Sequence, residues 1–135
     1  MKETILIIED ELALAESIKF IIEAGVYETL FAPAGFAAFE LLKKHALEID
    51  LIICDINLPD ISGYNILTMV KSEPRLYKIP FIFLSAYADE KDVLKGLNMG
   101  ADGYVTKPFF AKELINVISH AIRKEKEADL NSNKH

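Results

Sequence analysis

Four short apolar runs in this chain are each followed at once by residues capable of chemistry. Glu9, Asp10 and Glu11 follow Ile5–Ile8, and Asp55 follows Leu51–Cys54. Ser85 follows Phe81–Leu84, and Thr106, Lys107 and Pro108 follow Tyr104–Val105. If the runs are parallel strands of one sheet, these residues gather at its carboxyl edge, where open α/β sheets bind ligands. That edge holds carboxylates, a hydroxyl and an ammonium. Clustered carboxylates repel and raise one another's pKa, so something positive must compensate. A hard divalent cation is the simplest answer, and Mg²⁺ uses one or two carboxylates while keeping several waters. A metal, a carboxylate, a hydroxyl and a lysine can together hold a phosphoryl group. A carboxylate can itself be the nucleophile that accepts it. Taken singly, Glu11 reads as an acid in a helix's first turn and Asp10 as an N-cap. Asp55, directly after Ile52-Ile53-Cys54, is harder to dismiss, because Asp is depleted in strands.

The elements that must position these residues alternate along the chain. The apolar runs, with a weaker one at Tyr27–Ala32, are too short for helices and not strictly alternating, which suits strands buried on both faces. Between them the spacing predicts helices over Glu11–Ala24, Gly35–His45, a third opened by Ser62-Gly63 and finished before Pro74, Asp89–Met99 and Ala111–Glu127. Inward faces are Leu14, Ile18, Ile21 and Ile22 in the first, and Ala38, Phe39 and Leu42 in the second. Strand then helix, five times, is an α/β pattern with a mostly parallel sheet and helices on both faces. Residues 124–135 read as a helix end fraying into a polar tail or a truncated linker.

Four segments, in order and at strand ends, resemble the receiver domain of two-component response regulators. They are Ile5 to Glu11, Leu51 to Gly63, Pro80 to Ala86 and Gly100 to Phe109, and the resemblance covers residues 3–123. It implies a single doubly wound (βα)5 flavodoxin-like domain with a five-stranded parallel sheet. It implies that Asp55 is the phospho-acceptor, served by a sensor histidine kinase or a histidine phosphotransfer protein. Glu9, Asp10, Asp55 and the Asn57 backbone carbonyl would bind Mg²⁺, with Glu9 acting through water. Ser85 would hydrogen-bond the phosphoryl oxygen and Lys107 would pair with it, aimed into the site by a cis Lys107-Pro108 bond. Tyr104 would be the aromatic that moves inward as Ser85 moves. Asn57, Ala86 and Tyr87 would modulate the phosphate site, Tyr87 from its mouth. The fourth helix, fifth strand and fifth helix would be the readout surface.

The chain departs from the family pattern at Glu9, where Asp is commoner, at Ser85, where Thr is commoner, and at Gly103, where an acid often stands. Val117 replaces an Arg used in the dimers of one DNA-binding subclass. A phosphorylation-dependent homodimer is left open. A phosphatase of the haloacid-dehalogenase type would want an acid at Asn57, and a flavodoxin-like cofactor binder would want small and hydroxyl residues where Glu9-Asp10-Glu11 stands. A receiver that docks without phosphorylation is disfavoured by the intact set Asp10, Asp55, Ser85 and Lys107.

Composition narrows the rest. With 135 residues and 51% hydrophobic content the chain can build the core of one domain. A formal charge of −6 disfavours direct nucleic-acid binding. One Cys fits a reducing compartment, and no apolar run suits a signal peptide or a membrane span. The expectation is a cytoplasmic signalling module, not an enzyme in its own right. Its kinase and output are unnamed, and it is either stand-alone or excised from a longer protein. Cys54 is expected to be a buried hydrophobe, and His45 and His120 surface residues.

Overall fold

The computed structural model describes residues 2–132. The elements run β1 (Thr4–Ile8), α1 (Leu12–Glu23), β2 (Glu28–Ala32), α2 (Gly35–His45), β3 (Ile49–Asp55), α3 (Gly63–Ser72), β4 (Phe81–Ser85), α4 (Glu90–Asn98), β5 (Gly103–Thr106) and α5 (Ala111–Ser132). The five strands form one sheet in the order β2-β1-β3-β4-β5, and every pairing is parallel. This is the five-stranded α/β fold the alternating pattern predicts.

The unbroken apolar runs follow from two covered faces. Alternate residues Ile5, Ile7, Leu51, Ile53, Ile82 and Leu84 pack under α1 and α5. Their neighbours Leu6, Ile8, Ile52, Cys54, Phe81 and Phe83 pack under α2 and α3. Neither set tolerates a polar residue, since burying one unpaired costs about 1–3 kcal/mol. Cys54 is fully buried, its Sγ donates to the Asp55 carbonyl at 3.1 Å, and burial pushes its thiol well above the ordinary range. The thiol is therefore held in its neutral form. His120 is exposed, and half-buried His45 bonds Glu48 at 3.0 Å.

One helix packs lightly, as its few apolar residues suggest, and another runs longer than expected. α4 buries only Gly96, so it lies on the sheet more lightly than its neighbours. α5 continues to Ser132, beyond the expected end at Glu127. Residues 123–130 contain good helix formers and no Gly or Pro. Ion pairs tie this extension down, Lys126 to Glu3 at 2.9 Å and Asp129 to Lys78 at 3.6 Å. The last three residues of the expected tail, 133–135, lie outside the described residues.

Candidate functional site

The carboxyl edge of the sheet assembles the site because β1, β3, β4 and β5 end beside one another. Ile8 pairs with Cys54, Asp55 with Leu84, and Ser85 with Thr106. One residue further on, the Lys107 N–H donates to the Ser85 carbonyl at 2.8 Å, and the Glu9 N–H donates to the Ala32 carbonyl at 3.1 Å. Asp55 ends β3, and Glu9 and Lys107, one residue past β1 and β5, are held by backbone bonds that continue the ladder.

Lys107 is the centre of the site. Its Nζ donates to Glu9 Oε1 at 2.9 Å and to Asp55 Oδ2 at 3.1 Å. Both acids are buried, Glu9 at 1% exposure and Asp55 at 7%. Burial raises the Glu9 carboxyl above its usual range, although Lys107 and the Glu11 N–H, 3.1 Å from Oε2, oppose the rise. Burial alone would lower the Lys107 ammonium, but its bonds to Glu9 and Asp55 outweigh that and leave it raised. Asp55 Oδ1 accepts from the Asn57 N–H at 3.2 Å.

Asp10 completes the acidic set from an exposed position. Carboxylate oxygens of Glu9, Asp10 and Asp55 all lie within 4.8 Å of one another, and this is the one such grouping among the described residues. Glu11 stands outside it as the N-cap residue of α1, without a side-chain cap bond. The donors are hard oxygens, and one ammonium against three carboxylates leaves two formal negative charges. Both features fit a hard divalent cation.

Around this centre sit the remaining expected residues. Ser85, 1% exposed, accepts the Tyr87 N–H on Oγ at 3.0 Å. Asn57 Nδ2 donates to the Tyr87 hydroxyl at 2.8 Å, a bridge across the mouth of the site. The Tyr104 hydroxyl donates to the Tyr87 carbonyl at 2.7 Å. The Tyr104 ring lies edge-on to Phe83 at 6.1 Å. Burial raises the Tyr104 phenol, so it stays a donor. Ala86 is exposed just beyond β4, half-buried Thr106 ends β5, and the Lys107-Pro108 bond is cis.

Three residues matter more than their sequence context suggests. Gly63 starts α3 as expected, but it also permits a close approach, since a Cβ there would lie 2.4 Å from the Asp55 carbonyl oxygen. Gly96 seats α4 on Phe83 and Tyr104. Asp60 accepts backbone N–H groups at the start of α2. The signal for Asp60 was present in the chain. Ala34 occupies the N-cap of α2 and cannot cap it, so the cap must come from elsewhere.

A family profile described as "Response regulator receiver domain" matches residues 5–119. The chain is 36% identical over 122 residues to the cell cycle response regulator CtrA of Brucella ovis, covering 90% of this chain and 51% of that protein. It therefore spans about half the length of that curated relative. A response regulator receiver domain protein from Clostridium thermocellum superposes with a TM-score of 0.85 at 28% identity, covering 93% of this chain and 98% of the other. A CheY-like receiver domain protein from Methanospirillum hungatei gives 0.85 at 26% identity, covering 95% and 99%.

Proposed function

The chain belongs to the response-regulator receiver family of two-component signalling, and on that premise we propose that Asp55 is its phospho-acceptor. Receiver domains are signalling domains that bind Mg²⁺ at an acidic pocket and interact with histidine kinases or phosphotransfer proteins. The finer reading rests on one observation: a single lysine bridges two buried acids, one of them at the end of the central strand.

An Asp55 carboxylate oxygen attacks the phosphorus of a phosphohistidine on the partner. The P–N bond breaks, its electrons return to the imidazole, and an acyl phosphate forms on Asp55. Lys107 turns its ammonium from the Asp55 carboxylate to a phosphoryl oxygen while keeping Glu9. The Ser85 hydroxyl donates to a second oxygen. Glu9, Asp10, Asp55 and the Asn57 carbonyl would hold Mg²⁺, which supplies charge neutralisation for the transferred group. Asn57 and Tyr87 restrict water at the mouth of the site and so set the lifetime of the acyl phosphate.

Ser85 has a differential contact, made to the phosphoryl group in one state only, as a population shift requires. Its movement disturbs the Tyr87 N–H bond and through Tyr87 the hydroxyl of Tyr104. Tyr104 then alters the face made by α4, β5 and α5, which we assign as the readout surface. A cytoplasmic location belongs to this same reading.

Intact mass tests it. With Mg²⁺ and a small-molecule phosphodonor the chain should gain one phosphoryl group, lost in Asp55→Asn and with EDTA. Full uptake by Asp55→Asn would overturn the assignment. Beryllofluoride binding separates a short-lived phosphate from a site that takes none.

A further inference from the structure

α2 begins at Gly35 behind Ala34, whose methyl group cannot accept a hydrogen bond. The orphan N–H groups of its first turn need acceptors from another element. Asp60, in the loop between β3 and α3, supplies them. Its Oδ1 accepts the Gly35 N–H at 2.8 Å and its Oδ2 accepts the Phe36 N–H at 2.8 Å. Oδ1 also accepts the Ile61 N–H at 2.9 Å, which ties the carboxylate to its own loop. The fit leaves no slack, for a Cβ on Gly35 would lie 1.9 Å from Ile61 Cγ2.

The loop that Asp60 anchors is the one that carries Asn57. It leaves β3 at Asp55, and its early part is held by the Asn57 N–H bond to Asp55 Oδ1 at 3.2 Å. Its two ends meet where the Gly63 N–H donates to the Ile56 carbonyl at 2.8 Å. Between those points Asn57 Nδ2 reaches the Tyr87 hydroxyl at 2.8 Å, and the side-chain anchor to a neighbouring helix is Asp60. A carbonyl ligand on a loop without that anchor would have to be ordered when the cation binds, at a cost in conformational entropy.

We propose that Asp60 is a positioning residue for divalent-cation binding. By pinning this loop to the first turn of α2, it holds the Asn57 carbonyl toward the carboxylate cluster before the cation arrives. The inference rests on the Mg²⁺ reading given above and extends it to a residue that touches neither cation nor phosphate.

Calorimetric titration of Mg²⁺ into the full chain tests it, with each variant held well below its unfolding midpoint. Asp60→Ala should weaken Mg²⁺ binding by about tenfold, the low end of what supporting groups behind metal ligands contribute. Asp60→Asn, which keeps one acceptor oxygen, should fall between, and it carries the comparison if Asp60→Ala does not fold. Leu42→Ala removes a buried side chain from the same helix and should lower stability while keeping the affinity. Unchanged affinity in both Asp60 variants overturns the proposal. So does an equal loss in Leu42→Ala, which would trace the effect to a loosened α2. No Mg²⁺ binding by the unaltered chain overturns the metal reading and this proposal with it.

Discussion

Gly96→Ala should change sign with its neighbour. In an exposed helix interior, replacing Gly by Ala gains about 1 kcal/mol. Gly96 is instead the one buried residue of α4. A Cβ there would meet Phe83 Cδ2 at 3.0 Å and Tyr104 Cδ2 and Cε2 at 3.1 and 3.2 Å. Phe83 is fully buried and cannot retreat, so the half-buried Tyr104 ring must give way. Overpacking of this kind costs roughly 1–3 kcal/mol, enough to cancel or reverse the propensity gain. In a Tyr104→Ala background the ring is gone and Phe83 has room to shift. There the same substitution should stabilise by about 1 kcal/mol. The coupling energy of the double-mutant cycle should therefore be at least about 1 kcal/mol. Urea unfolding followed by circular dichroism measures it for the four proteins, since no Trp is present for fluorescence. A gain of similar size in both backgrounds would refute the reasoning and show that α4 does not rest on the Tyr104 ring.

Lys107→Ala leaves the Glu9 and Asp55 carboxylates buried without their ammonium, so stability at neutral pH should fall by about 3 kcal/mol, as when a buried ion pair loses one partner. The deficit should shrink as pH falls. The Glu9 carboxyl is already raised, so its ionisation costs stability that is present below about 4.5 and lost as pH climbs through the folded value. Denaturant midpoints across pH check this, and a deficit that grows on acidification would contradict it. Asp60 has the opposite sign: the Phe36 and Gly35 N–H groups hold its carboxyl below the ordinary 3.8. Its contribution is present above that value and lost as pH falls through the folded value, so the gap between wild type and Asp60→Asn should narrow below pH 3.8. Thermal scans from pH 5 downward read the gap directly. Tyr87→Phe removes the hydroxyl that Asn57 Nδ2 reaches, on an exposed side chain, so stability should shift by less than about 0.5 kcal/mol. Loss of phosphate should quicken, and an unchanged acyl-phosphate lifetime by intact mass would count against a role for that bridge.

Period and strand ends made much of this architecture legible. Asp55 stood out because an acid directly after Ile53-Cys54 breaks a buried run, and the β3 register places it beside Ser85's strand. What stayed hidden depends on three-dimensional fit. Glu9 and Lys107 are 98 residues apart, and nothing local says that the longer Glu arm reaches the ammonium. Gly96 looks like an ordinary weakness in a polar helix until the rings beneath it are seen. Asp60 looks like a loop acid, and only the bare Ala34 cap hints at its work. The apolar pattern ends α5 at Glu127 because its last turns lack an apolar stripe. Ion pairs from Lys126 and Asp129 fasten them instead, and such pairs leave no period to read.

The charge arrangement bears on the order of events at the site. Both oxygens of Asp55 are engaged, Oδ1 by the Asn57 N–H and Oδ2 by Lys107. The same ammonium also neutralises Glu9, so it is shared between two acids and leaves Asp10 unmatched. A phosphoryl group entering this state would bring more negative charge to a site already short of cations. With a divalent cation held by Glu9, Asp10 and Asp55, the excess would be balanced and Lys107 could leave Asp55 without exposing an uncompensated buried carboxylate. The second partner of Lys107 matters to that proposal, because Glu9 would keep the ammonium in place while Asp55 reacted. Glu9→Gln removes that charge but keeps a side-chain oxygen. It should slow phosphate uptake more at low Mg²⁺ than at saturation, whereas an equal slowing at both would place Glu9 outside this exchange.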